Sequence, residues 1–134
     1  MAVIGIGIDL VEIERVERLL EWKGDRAVKR LFTFREVDYA TRRAQPARSF
    51  AARLAAKEAA FKALAGSELA RAIGWRDLEV LVRSDGGPVL ELHGPARRRA
   101  AELGITRILL TMTHTNTTAA AVVILEKDSN QATE

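Results

Sequence analysis

The chain has 134 residues, 48% of them apolar and 29% charged, with a formal net charge of +3. This is one ordinary globular domain, which excludes a disordered tail and a membrane protein. The absence of cysteine excludes a disulfide scaffold, a thiolate zinc site and a cysteine nucleophile, and points to the reducing cytoplasm. No apolar run approaches the ~20 residues that span a bilayer, and no secretory signal is visible. Charge is unevenly placed. Residues 15–62 hold 13 basic and 6 acidic side chains, whereas the rest holds 8 and 12. Such a domain offers its N-terminal half to an acidic partner: nucleic acid, an anionic membrane surface, a phosphorylated metabolite or an acidic protein.

Residues 2–10 alternate Val3, Gly5, Gly7 and Asp9 against Ile4, Ile6, Ile8 and Leu10. This period predicts a half-buried strand whose glycines face something that approaches closely. Residues 12–22 follow a helical period through Val16, Leu19 and Leu20. Gly24 stops that helix, and a short helical piece is expected over 26–32. Thr33 and Glu36 have capping-box spacing for a helix over 34–43, and Pro46 is expected to break the pattern. Residues 49–65, rich in alanine, form the clearest helix, closed by Gly66 as a left-handed cap. Residues 78–82 and 89–92 read as a hairpin joined by Ser84-Asp85-Gly86-Gly87. Gly94-Pro95 opens another helix that Gly104 ends, and two further strands are expected over 105–114 and 119–125. The expected fold is one α+β domain over residues 1–127, a mostly antiparallel sheet packed against a long helix, followed by a polar tail over 128–134.

Some residues break their local pattern. On the long helix, Phe50, Leu54, Phe61 and Leu64 fall in an arc of roughly 80° at ~100° per residue. Lys57 lies inside that arc, where a lysine must snorkel out or meet an anion. Glu58 lies just beyond it, four residues before Lys62, in the order of a surface ion pair. Arg53, Lys57, Glu58 and Lys62 together suggest a phosphate and metal site. Asp9 ends its strand, although Asp9 and Glu12 also have the spacing of a helix cap. Gly5-Ile6-Gly7 is half of a dinucleotide fingerprint, with Leu10 where the third glycine belongs. His93 and His114 lack partners at zinc-ligand spacing, and no G-x-S-x-G is present.

G-I-G-I-D-L-V-E-I near the start, F-A-A-R-L-A-A-K-E-A-A-F-K-A-L some fifty residues later, and T-M-T-H-T near the end resemble the small bacterial holo-[acyl-carrier-protein] synthases, which are 4'-phosphopantetheinyl transferases. The resemblance covers essentially the whole chain. It implies transfer of 4'-phosphopantetheine from coenzyme A to a serine of apo acyl carrier protein, in a Mg²⁺-dependent reaction that releases adenosine 3',5'-bisphosphate for fatty-acid synthesis. It also implies that Asp9 and Glu58 hold the metal, that Lys62 contacts the transferred phosphate, and that Arg53, Lys57, His114, Thr115 and Pro88 bind the coenzyme. Family members often carry a basic residue between glycine and proline in the hairpin, where this chain has Gly87. Arg15, Arg18, Leu19 and Arg26 would face the carrier protein. The family resemblance further implies a homotrimer with the coenzyme between subunits, without nucleic acid or membrane. The alternatives are a basic nucleic-acid-binding domain, disfavoured by an aromatic content of only 5%, and a purely structural trimer.

Overall fold

The structure, a computed structural model, describes residues 1–129. Most of the tail expected over 128–134 lies outside the described residues. The elements are β1 (Ala2–Glu12), α1 (Ile13–Trp22), α2 (Gly24–Leu31), α3 (Phe34–Thr41), α4 (Pro46–Leu64), α5 (Glu68–Arg71), β2 (Leu78–Val82), β3 (Pro88–Leu92), α6 (Gly94–Leu103), β4 (Arg107–His114) and β5 (Thr118–Lys127). β1, β5 and β4 form an antiparallel sheet in that order, and β2 and β3 form a separate hairpin. The α+β expectation is borne out. No helix among the described residues is long and apolar enough to cross a membrane.

The sheet has two unlike faces. Val11, Ala119, Ala121, Val123 and Leu125 point inward and are buried, covered by α4. Ile6, Ile8 and Leu10 point outward and remain exposed, opposite Ile124, Val122 and Ala120 of β5. The expected helical stripe widens into burial on nearly all sides: Phe50, Leu54 and Leu64 are buried, and so are Ala51, Ala55, Ala56, Ala59, Ala60 and Ala63. A helix this rich in alanine lets its neighbours approach its backbone all round.

Thr33 and Glu36 make the predicted capping box, and Gly104 ends α6 with left-handed geometry. Pro46 does not break a helix; it opens α4, at a position where its missing N–H would have no partner. Asp9 is not a helix cap, because β1 runs on to Glu12, which occupies the N-cap position of α1 without a side-chain capping bond. Gly66, just past the C-cap residue Ala65, has the expected positive φ of +115°, but the end of the helix is served by a side chain. α4 ends at Leu64, and Arg99 donates from Nε to the Leu64 carbonyl (2.8 Å) and from Nη2 to that of Ala65 (2.9 Å). A buried guanidinium thereby serves the orphan carbonyls at the end of the helix.

Candidate active site

The site is assembled where β1 crosses α4. A Cβ on Gly7 would be driven into the Ala59 carbonyl, and one on Gly5 would come within 2.7 Å of the Ala63 carbonyl oxygen. The glycine face of β1 therefore meets helix backbone, which is the close approach the alternation predicts. Two residues beyond Gly7 stands Asp9, and on either side of Ala59–Phe61 stand Glu58 and Lys62. The crossing that needs glycine thus brings together three residues up to 53 positions apart. Lys62 donates from Nζ to Asp9 Oδ1 (2.8 Å) and to the Ile8 carbonyl (2.8 Å).

The two carboxyls compete for one charge. Burial, then hydrogen bonding and repulsion from Asp9, push Glu58 up to about 7, against the pull of Arg15 and Lys62. Burial would raise Asp9 as well, but hydrogen bonds with Glu58 and Lys62 outweigh it and hold Asp9 below its ordinary value. Asp9 Oδ2 is buried without a hydrogen-bond partner. Two crowded carboxyls, one with an orphaned oxygen, suit a hard divalent cation that takes oxygen ligands.

A second feature gathers cations. Arg53 is buried and stacks its guanidinium 4.2 Å from the Tyr39 ring centre, with Arg43 at 4.4 Å. Arg53 Nη1 donates to Ser49 Oγ (2.9 Å), while its Nε and that of Arg48 are buried and unpartnered. Burial lowers the pKa of Arg53. Adjoining hollows of about 520 and 390 Å³ share Tyr39, Arg43 and Arg53, and the smaller is also lined by Arg48 and His114. Arg53 and His114 thus meet at one place. Arg43 and Arg48 were not singled out from sequence, because a run of scattered surface arginines does not show which of them converge.

Lys57 is a correction. It is 0% exposed, and its Nζ donates to Glu36 Oε1 (2.7 Å), to the Trp75 carbonyl (3.0 Å) and to the Leu78 carbonyl. The anion it meets is internal, so it touches no ligand from solvent. Glu36 in turn accepts from the Val80 N–H (2.9 Å), tying α3, α4 and β2 together. Thr115 accepts from the backbone of Thr117 and Thr118 (3.2 and 3.0 Å) and shapes the turn beside His114. Pro88 pairs with Val82 at the hairpin end; neither Thr115 nor Pro88 lines the hollows. At the Gly87 turn, a Cβ would collide with the Arg83 guanidinium.

One other group among the described residues has metal-like spacing: Glu79, Glu91 and His93. Glu79 is already served by Arg35 Nη2 (2.6 Å), Arg35 Nε (3.2 Å), Thr33 and His93 (2.9 Å). Burial works against its charge, yet these donors hold its pKa down at about 2. A guanidinium stands where a metal would need to be. On α1, Arg15 and Arg18 are exposed and Leu19 is half-buried, and on α2 Arg26 is exposed; Arg15 lies near enough to Glu58 to act on its charge.

Comparison with known proteins agrees with this geometry. Residues 5–123 match the family model of the 4'-phosphopantetheinyl transferase superfamily. The chain is 43% identical over 124 residues to the holo-[acyl-carrier-protein] synthase of Solibacter usitatus, covering 92% of this chain and 98% of that one. It is 46% identical over 124 residues to that of Nitratidesulfovibrio vulgaris, with the same coverage. The crystal structure of the Neisseria meningitidis holo-[acyl-carrier-protein] synthase superposes with a TM-score of 0.83 at 28% identity, covering 94% and 100% of the two chains. A Chronobacterium ammoniagenes complex of such a synthase with coenzyme A superposes with a TM-score of 0.80 at 26% identity, covering 96% and 99%.

Proposed function

Because the chain belongs to the 4'-phosphopantetheinyl transferase superfamily, we propose that the β1–α4 crossing is where it moves 4'-phosphopantetheine from coenzyme A to a serine of apo acyl carrier protein. The observation that carries this reading is the convergence of Asp9, Glu58 and Lys62 at the crossing, on a chain that also carries a hollow lined by unpartnered arginine nitrogens. The serine oxygen forms a bond to the phosphorus of the phosphopantetheine phosphate. The bridging P–O bond of the pyrophosphate breaks, and adenosine 3',5'-bisphosphate leaves. Asp9 and Glu58 would hold Mg²⁺, which supplies positive charge to the pyrophosphate oxygens when bound.

The chain's own side chains do the rest. Lys62, half exposed, is held by Asp9 and the Ile8 carbonyl, and its remaining N–H would meet the transferred phosphate as negative charge builds there. The Glu58 carboxylate, or a water it orients, would accept the serine proton. Arg53, with Arg43 and Arg48 beside it, and His114 receive the phosphates of the coenzyme in the hollow. Arg15, Arg18, Leu19 and Arg26 face the carrier. The transferase reading accounts for the basic half of the chain without a nucleic-acid or membrane partner.

The outer sheet face supports a homotrimer. Ile6, Ile8 and Leu10 are 64%, 59% and 67% exposed, a contiguous apolar patch of the kind that marks an interface. We assign the chain to the cytoplasm, a reading its proposed use of coenzyme A supports. The test is to incubate the protein with coenzyme A, Mg²⁺ and an apo acyl carrier protein, then to look by mass spectrometry for phosphopantetheine on the carrier's serine. Wild type forms the adduct, and Glu58→Gln slows it by about 100-fold or more. No adduct from wild type, or an unimpaired Glu58→Gln, overturns the assignment.

A further inference from the structure

Arg53 is 3% exposed, and a cation buried that deeply ordinarily meets a carboxylate. Among the described residues, no ion pair reaches Arg53, and none reaches Arg43 or Arg48. Arg53 Nη1 donates to Ser49, while its Nε, like that of Arg48, is buried without a partner. What stands beside the charge is an aromatic ring. The Arg53 guanidinium carbon lies 4.2 Å from the centre of the Tyr39 ring, and that of Arg43 lies 4.4 Å from the same centre. Three segments meet there, since Tyr39 belongs to α3, Arg43 to the loop after it and Arg53 to α4.

An aromatic ring steadies a guanidinium much as a carboxylate does, with one difference. Its quadrupole attracts the cation, yet the ring carries no net charge. A carboxylate at position 39 would satisfy Arg53 and cancel its field in the hollow. The ring stabilises the cation and leaves that field intact. It also carries two like charges at once. Burial does most to lower the pKa of Arg53 and repulsion from Arg43 adds to it, while Tyr39 works against both. Two cations held this close are unfavourable alone, and become favourable once an anion is shared between them. We propose that Tyr39 is a positioning residue for the coenzyme's phosphates: its ring takes the place of a carboxylate at Arg53 and Arg43, and so holds both guanidiniums in place and unneutralised at the wall of the hollow. Tyr39 acts through these two arginines. This inference rests on the transferase reading, and the experiment separates its failure from failure of that reading.

Adenosine 3',5'-bisphosphate, the proposed leaving group, is titrated by calorimetry into wild type, Tyr39→Phe, Tyr39→Leu and Tyr39→Met, without metal or carrier protein and below the Tm of every variant. Tyr39→Phe keeps the ring and binds within about threefold of wild type. Tyr39→Leu and Tyr39→Met occupy the space without an aromatic face, and each raises Kd at least about tenfold. Using two apolar replacements guards against a folding defect peculiar to one. In an Arg53→Gln background, Tyr39→Leu raises Kd by no more than about threefold further, because a residue it acts through is gone. Apolar variants that bind within twofold of wild type, a loss in Tyr39→Phe as deep as in Tyr39→Leu, or a full tenfold loss repeated in the Arg53→Gln background overturns the role of Tyr39 alone. Wild type that binds neither the bisphosphate nor coenzyme A overturns both that role and the transferase reading.

Discussion

Replacing Gly7 with alanine tests whether the β1–α4 crossing positions the site. The added Cβ is driven into the Ala59 carbonyl and lies 3.1 Å from the Ala63 nitrogen. Both obstacles are backbone, so no rotamer change relieves the contact, and α4 must move off β1. Overpacking costs about 1–3 kcal/mol in general, and with rigid groups on both sides the upper end, about 3 kcal/mol, is expected. At about 4 °C per kcal/mol for a domain of this size, Tm falls by about 12 °C. Asp9 stands on one side of the crossing and Glu58 and Lys62 on the other, so turnover falls by at least about tenfold even where the variant is folded. Gly24 is the control. Its φ is +50°, and no heavy atom lies within 4 Å of the point where a Cβ would stand, so Gly24→Ala carries only the backbone penalty of about 1 kcal/mol. Urea denaturation at fixed protein concentration reads both variants. If Gly7→Ala loses no more stability than Gly24→Ala, the close crossing does not set the geometry.

Lys62→Ala removes an ion pair that is half exposed, so Tm should change by no more than about 2–4 °C while turnover drops by about 100-fold; equal, small effects on both would return Lys62 to a structural role. Glu79→Gln should destabilise by about 2 kcal/mol at pH 7. Because the folded-state pKa of Glu79 is depressed to about 2 from 4.5, the stability it contributes is present above pH 4.5 and lost as pH falls toward 2, so the two proteins' urea midpoints should converge in acid. Lys57→Met leaves Glu36 buried without its counter-charge and should cost about 3 kcal/mol, with coenzyme A affinity by calorimetry within twofold of wild type at a temperature where it is folded. Ile8→Arg places a charge on the outer sheet face and should convert a trimer to monomer in sedimentation, with little change in the far-ultraviolet circular dichroism; unchanged mass would remove that face from the interface.

The parts of the fold that obey local rules could be read directly. The Thr33–Glu36 box, the hairpin at Gly86-Gly87 and the Gly104 cap each depend on a few adjacent residues. The glycine face of β1 was legible as a close approach, although not as an approach by α4. Pro46 and Asp9 went the other way, since each has two acceptable positions and only the tertiary pairing of Leu10–Glu12 with β5 decides the second. At the site, Lys62 pairs with Asp9, 53 positions earlier, where helical spacing alone points to Glu58. Lys57 departs too: its partner Glu36 lies 21 positions earlier, and nothing in helical periodicity can distinguish a lysine aimed at a ligand from one aimed at a buried carboxylate. The Tyr39 stack with Arg43 and Arg53 was likewise invisible, because it joins α3, the loop after it and α4 in space.

Lys57 and Glu58 are neighbours in sequence and meet different partners, one an internal carboxylate and the other the carboxyl of Asp9. Substitutions at these two adjacent positions should therefore act through different routes. On the proposed transferase reading, loss of Lys57 would lower the abundance of folded protein, and loss of Glu58 the rate that each folded molecule achieves. A lineage that loses its carrier protein would be released from constraint at Glu58 while still held at Lys57 and Glu36. Drift at one position beside fixity at the next would mark a descendant that had kept this fold and abandoned its chemistry.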